Sequence, residues 1–312
     1  DNSYCYFEND RGVWFYDLNN KILNNVYEKS DNGHGSVFSG DTGIKVVQAD
    51  DETGDLHFLV YGYMHDGNYE GCQGIMVYRY NQEQVLLEEM IFIPSDKGFK
   101  QIEQDVENLS YMNEEGEMYL LVGSKVYKLN VALGRMEDVY SDMDSDGGRV
   151  STTGKLVITE GASRSEAVGK SLRIIDLNKD EEMTISAGEH QYIRCYGFSG
   201  DNLVYGMIDE NHYGVGSDGI LRGPAGEIHI VDGNLKDIRT FSRIGNVVLD
   251  VSITDDNLNI TLGKPNRSSG FMDFDYAGQA HIMRNAAKTD ENIAVTRKKD
   301  GSRGIQNYVA LG

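Results

Sequence analysis

Asp142, Asp144, Asp146 and Gly147, in the stretch "SDMDSDGGRV", spell the opening of a calcium-binding loop. Calcium takes about six to eight oxygens, and glycine here lets the chain bend sharply around the ion. A twelve-residue loop of the EF type would end on a bidentate Glu, where Thr153 stands, and a nine-residue version would end on Asp, where Val150 stands. A calcium or other divalent ion at these three aspartates would therefore need backbone carbonyls and water to complete its shell. The competing reading is a plain acidic turn, since Asp and Gly are favoured in turns for backbone reasons alone.

A second group of candidates lies in loops that mix His, Tyr, Asp, Asn and Arg with glycine. These are "YMHDGNYEGCQG" from Tyr63, "GASRSEAVGK" from Gly161, "DENHYGVGSDGILRGPAG" from Asp209 and "KPNRSSGFMDFDYAG" from Lys264. Asp209, His212, Tyr213, Arg267, Asp273 and Tyr276 are the leading ligand-contacting residues, with Tyr69 a further stacking candidate. Glu210, Asp218, Asp273 and Asp275 would also offer the two carboxylates a glycoside hydrolase needs, one protonated and one ionised. The 50 acidic residues of the chain make such a coincidence unremarkable.

Other chemistries lack their residues. There is no Gly-x-Ser-x-Gly elbow for a serine hydrolase and no dinucleotide or phosphate-loop fingerprint. The seven histidines show no paired spacing for zinc. His57, His229 and His281 fall in β-rich runs and read as packing or hydrogen-bonding residues. Cys5, Cys72 and Cys195 are odd in number and widely spaced, which leaves at most a Cys5–Cys72 bridge.

Composition narrows the partners. A net charge of -21 repels nucleic-acid phosphates and anionic lipid surfaces, so neither nucleic acid nor direct membrane insertion is expected. With 39% hydrophobic residues the chain can bury a large core. It opens on "DNSYCYF" and is read as a mature fragment of a longer exported protein, extracellular or attached to the cell surface.

Those loops need strands to hold them, and the strands recur. Runs such as "GVWFYDLNN", "GIMVYRYNQ", "SKVYKLNVA", "SLRIIDLNK", "GEIHIVDGN" and "GQAHIMRNA" return at a period of about 50, within the range of propeller blades. Upstream of most lies a hairpin, such as "VSTTGKLVITEG" or "VSITDDNLNITLG", and downstream a fourth β-rich run. The unit is four antiparallel strands, A to D, repeated six times or, alternatively, seven. Only "GFKQIEQDVENL" from Gly98 reads as a helix. Trp14, Phe15 and their neighbours read as packing between blades. The chain ends on "GIQNYVALG", read as a lone strand that pairs with the N-terminal blade and closes a ring over a single domain, 1–312.

The hairpin "FSGDNLVYGM" from Phe198, followed by "GEIHIVD", resembles the repeats of TolB-type and dipeptidyl-peptidase-amino-terminal-type propellers. The resemblance implies an all-β propeller fold and carries no catalytic residues. In such a fold the B–C loops and D–A crossings share one face, which places the long loops and the Asp142 segment together. The expected function is a non-enzymatic binding or scaffolding module for a protein, peptide or glycan. The alternative is a carbohydrate-active hydrolase or lyase using loop carboxylates.

Overall fold

The structure is a computed structural model that describes residues 4–9, 11–29, 41–50, 53–65, 67–141, 148–161, 168–254, 257–266, 270–283, 293–300 and 304–311. The chain divides into two compact units, 1–141 with 288–312 and 142–287. Nearly every element is an antiparallel strand joined to the next by a short turn.

In the first unit, β1 (Tyr4–Asn9), β2 (Gly12–Asp17) and β3 (Ile22–Glu28) form a three-stranded sheet. Next come β4 (Thr42–Ala49), β5 (Leu56–Tyr63), β6 (Gln73–Asn81) and β7 (Leu86–Pro94), four strands in chain order. Helix α1 (Phe99–Asn108) leads into a second four-stranded sheet, β8 (Ser110–Met112), β9 (Glu117–Val122), β10 (Lys125–Asn130) and β11 (Arg135–Tyr140).

The second unit begins with β12 (Gly148–Val150), β13 (Lys155–Glu160), β14 (Val168–Gly169), β15 (Ser171–Asp176) and β16 (Glu181–Ser186). After them run β17 (Gln191–Ser199), β18 (Asn202–Asp209), β19 (Gly214–Val215), β20 (Leu221–Arg222), β21 (Glu227–Val231) and β22 (Asp237–Ser242). The unit finishes with β23 (Val247–Ile253), β24 (Asn257–Pro265) and β25 (Phe274–Met283). Strands β12, β13, β15 and β16 make one sheet and β17, β18, β21 and β22 another. Short β14 leaves the first of these and pairs with β17, covering what would be an open edge.

These meanders are the blades expected from the repeats, and the fold is of the β-propeller type. The expected helix is present as α1. The C-terminal strand β27 (Gly304–Leu311), expected as a single strand, has a partner of its own and forms a hairpin with β26 (Ile293–Asp300), register Ile293↔Leu311. Its backbone also runs beside β1. The intervening turn lies outside the described residues, and its flanking runs are long enough to satisfy each other's backbone groups.

Within each unit, successive sheets stack face to face, and the period of two along a strand sends alternate side chains into different cores. Leu56, Phe58 and Val60 of β5, with Met76, Tyr78 and Tyr80 of β6, pack on Val13 and Phe15 of β2. Leu59 and Tyr61, with Ile75 and Val77, take the opposite face and meet Ile102 and Val106 of α1 and Met118 and Leu120 of β9. The second unit repeats the device: Leu203 and Tyr205 of β18 meet Val157 and Leu172, whereas Val204 and Ile208 meet Leu258 and Ile260.

An ion pair ties strand B to strand C in three successive repeats. Asp55 accepts from Arg79 at 2.8 Å and Glu117 lies 2.8 Å from Lys128. In the next repeat the polarity is inverted, with Lys155 on strand B and Asp176 on strand C at 3.1 Å. Burial pushes the Asp176 carboxyl up, but the Lys155 ammonium and the Asn178 N–H outweigh this and hold it below its ordinary value.

Two stability effects follow from this packing. Phe58 is fully buried and stacks on Tyr78 with ring centroids 5.2 Å apart, so Phe58→Ala should lower the unfolding free energy by about 3 to 5 kcal/mol in urea melts. A loss under about 1 kcal/mol would contradict the packing of the first two sheets. Val85 sits 65% exposed in the turn before β7 at φ 50°, where a β-branched side chain is strained. Val85→Gly should therefore raise stability by about 1 kcal/mol, and a lowered midpoint would argue against that strain.

Candidate functional site

Strand β18 ends at Asp209, and the chain there turns through a 3-10 segment, Glu210–His212. The Asp209 carboxylate caps this turn, accepting from the Asn211 N–H at 2.8 Å and from Asn211 Nδ2 at 2.8 Å. Those two hydrogen bonds hold it below the usual carboxylate range. Glu210 Oε1 lies 2.8 Å from His190 Nδ1.

The long loop that follows is structured. It folds into the small β19–β20 hairpin, Gly214↔Arg222 and Val215↔Leu221. Arg222 reaches back over the hairpin to the two oxygens of Asp218, Nη1 to Oδ1 at 2.7 Å and Nη2 to Oδ2 at 2.5 Å. Gly216 leaves room for it, since a Cβ there would displace the guanidinium. Hydrogen bonds from Arg222 and the Ile220 N–H bring the Asp218 carboxyl down to about 2.

The loop from Lys264 is tied to this hairpin. Ser217 N–H donates to Asp273 Oδ1 at 3.0 Å and Met272 N–H to Val215 O at 3.1 Å. Arg222 Nη1 also lies 3.8 Å from Asp273 Oδ1. Asn266 N–H donates to Asp273 O at 2.8 Å, and Asn266 Nδ2 to Asp275 Oδ1 at 3.2 Å. One arginine and a few backbone groups thus convert two loops from adjacent sheets into one surface.

The sequence candidates are distributed unevenly over it. Asp209 and Asp273 are structural anchors of the two loops. His212 meets Phe274 edge-on at 6.3 Å, and its Nδ1 is buried with no hydrogen-bond partner among the described residues. Tyr213 packs tilted against Tyr192, with ring centroids 4.5 Å apart, and its ring edge lies by Gly223, so the protein itself contacts the ring. Lys170 Nζ lies 3.8 Å from the Tyr192 ring centroid, extending the stack. Tyr276, on β25 opposite Gly263, is 68% exposed. Tyr69 lies in the first unit, at the end of the 3-10 turn Gly67–Tyr69, and stacks on Phe92 at 4.2 Å. Arg267 and the cation candidates Asp142, Asp144 and Asp146 lie outside the described residues.

Three residues that the sequence reading passed over matter more than some it chose. Val215, Ile220 and Phe271, on the tied loops, are 52%, 55% and 56% exposed. Their signal was present as apolar residues inside otherwise polar, Gly-rich loops. The Cys5–Cys72 bridge is absent: both are free cysteines, Cys5 half-buried in β1 and Cys72 exposed before β6. His57, His229 and His281 do lie in strands, with His229 stacked on Tyr205 at 5.0 Å and His281 Nδ1 2.7 Å from Asn259 Oδ1. Among the described residues, no group of three or more His, Cys, Asp or Glu is arranged to hold a metal ion.

A glycoside hydrolase needs a carboxyl whose proton is held at neutral pH. Here Asp209 and Asp218 are shifted the other way, and Asp218 is engaged by a guanidinium.

Sheets and loops together define a propeller-type protein with an elaborated loop surface on its second unit. Structures of propeller type are what the chain is similar to. Dipeptidyl peptidase 4 of Porphyromonas gingivalis matches with 11% identity and a TM-score of 0.45, over 98% of this chain and 48% of that one. Oligopeptidase B of Trypanosoma brucei matches with 10% identity and a TM-score of 0.46, over 98% and 48%. A chain of the mitotic checkpoint complex matches with 10% identity and a TM-score of 0.41, over 99% and 87%. The chain spans about half the length of the two peptidases. No protein-family model matches it, and no curated protein matches it in sequence. The likeness concerns the fold alone. Among the described residues, no helix is long and apolar enough to cross a membrane.

If Arg222 organises the surface, Arg222→Met should let the Asp218 carboxyl rise from about 2 toward its ordinary value in a carbon-detected NMR titration. Because the folded value is depressed, any stability from this pair is present above the ordinary aspartate value of about 3.9 and lost as pH falls toward 2. An unmoved Asp218 titration would dissociate Arg222 from it.

Proposed function

We propose that the chain is a binding module whose second unit docks a protein or peptide on the joined loops 209–226 and 264–276. The observation that carries this reading is the coexistence of order and exposure. The loops are cross-tied through Ser217, Asp273, Met272 and Arg222, yet leave Val215, Ile220 and Phe271 more than half exposed. An ordered surface loses less entropy on association than a loose one, and exposed apolar side chains supply the favourable burial. The acidic chain favours a partner with basic residues around an apolar or aromatic centre.

A glycan is the second ligand class, with exposed Tyr276 as the stacking residue. The module is placed on a secreted or surface-attached protein, in keeping with the sequence expectation. Enzymatic use of the loop carboxylates is the weaker reading, because those with displaced titration are displaced toward the ionised form.

Selection of a random peptide library on the full chain should enrich basic, aromatic-containing peptides. Their affinity should fall at least about tenfold for Val215→Asp/Phe271→Asp, while the thermal midpoint, set by buried residues, stays close to that of the parent. Peptides that bind the double variant equally well would sink the proposal, and enrichment of glycans instead of peptides on an array would transfer it to the second class.

A further inference from the structure

The first unit carries a cleft that belongs to none of the long loops. It lies between the end of β7 and the crossing that follows, at Pro94, Ser95 and Lys97, and the β9–β10 turn and start of β10, at Ser124, Lys125 and Tyr127; it is open to solvent and has a volume of about 570 Å³. That size suits a small molecule rather than a macromolecular surface.

Both walls are held in place from beneath. Asp105 of α1, 1% exposed, accepts from the Gly123 N–H at 2.6 Å and from Gln101 Nε2 at 2.9 Å, fixing the β9–β10 turn to the helix. Gln73 accepts at its carbonyl from the Ser95 N–H at 3.0 Å, and its Nε2 donates to Lys97 O at 2.5 Å. Ser95 Oγ accepts from the Lys97 N–H at 3.2 Å. The aliphatic stem of Lys97 passes over Gly123, its Cε 3.9 Å from where a Cβ would stand.

Charge is the unusual feature. In a chain of net charge -21, this cleft is lined by two lysines, Lys97 and Lys125, and a single carboxylate, Asp96. Lys97 has Asp96 at 3.5 Å, on a side chain 89% exposed, and Lys125 is paired with Asp138 at 2.5 Å on the outer strand β11. Both lysines are about half exposed and can turn toward a ligand. With a Debye length of about 8 Å at physiological salt, the distant acidic surface is screened, whereas Asp96, which lines the cleft, and Asp138 lie within reach and must yield Lys97 and Lys125 to an incoming anion. Hydroxyls of Ser95 and Ser124 add donors, and the half-buried Tyr127 ring adds a flat apolar wall.

We infer that this cleft binds a small organic anion, a phosphate or carboxylate carried on a planar or aromatic body. The anion lies between Lys97 and Lys125 and the body against Tyr127. The site is independent of the loop surface of the second unit; Asp138 competes with the ligand for Lys125 and Asp96 for Lys97.

Calorimetric titration of the full chain with phenyl phosphate, benzoate, inorganic phosphate and benzylamine tests the inference. Phenyl phosphate or benzoate should bind saturably, and whichever binds tighter identifies the anionic group. Lys97→Gln and Lys125→Gln should each weaken binding about three- to tenfold, and Asp138→Asn should strengthen it by releasing Lys125. Tyr127→Leu should weaken phenyl phosphate and leave inorganic phosphate unchanged. The lysines and Asp138 are surface groups, so these variants keep the fold and decide the matter even if Tyr127→Leu does not. No saturable binding below about 10 mM, equal binding of benzylamine, or unchanged affinity in the Lys97→Gln/Lys125→Gln double variant would overturn the inference.

Discussion

Everything else in this chain depends on burying both faces of the same strands. Strands β5 and β6 send Phe58 and Tyr78 one way and Leu59 and Val77 the other, and β18 does the same with Tyr205 and Val204. A strand with one buried face can slip in register at the expense of one core. Here a slip by one residue would exchange two cores at once, so the register is doubly determined. Each sheet is therefore held by its neighbours in its own unit, and the stack sets where every turn and loop emerges.

Polar groups occupy the ends of the strands, the parts that stacking leaves uncovered. The Asp55–Arg79, Glu117–Lys128 and Lys155–Asp176 pairs close successive sheets at one end, and the inverted polarity of the third shows that pairing matters there more than which strand holds the acid. At the opposite end, loops of very different length meet different fates. The β9–β10 connection is only Gly123 and Ser124 and leaves a cleft, whereas the loops after Asp209 and Lys264 are long enough to reach and tie to each other. Both kinds of surface have order without being buried, the condition under which binding energy is not lost to ordering the site.

Much of the fold was legible in the residues. The recurring apolar runs, the Gly and Asp turns and the α-helical segment at Phe99–Asn108 follow local rules of periodicity and turn chemistry, and they stand in the structure as read. Pairing of the final strand was not legible, because a strand's partner depends on what lies beside it in space. The residues of "GIQNYVALG" give no sign of its hairpin partner Ile293–Asp300. The loop surface was half legible: the choice of loops was available from length and composition, but Tyr213 turned inward onto Tyr192 while Val215 and Phe271 turned out. Arg222 could have been noticed four residues after Asp218, a spacing that permits an ion pair across a tight hairpin without requiring one.

The sequence by itself determined the class of fold, the strand-by-strand alternation and the acidic surface, because each follows from nearest-neighbour geometry and from counting charges. The tertiary arrangement alone settles which side chains meet across loops, which tyrosines remain available and that a cleft lined by two lysines opens beside the two-residue β9–β10 turn. Those outcomes depend on residues far apart in the chain, such as Ser217 with Asp273 and Lys97 with Lys125, whose distances are set by the stacking of sheets and by no local pattern.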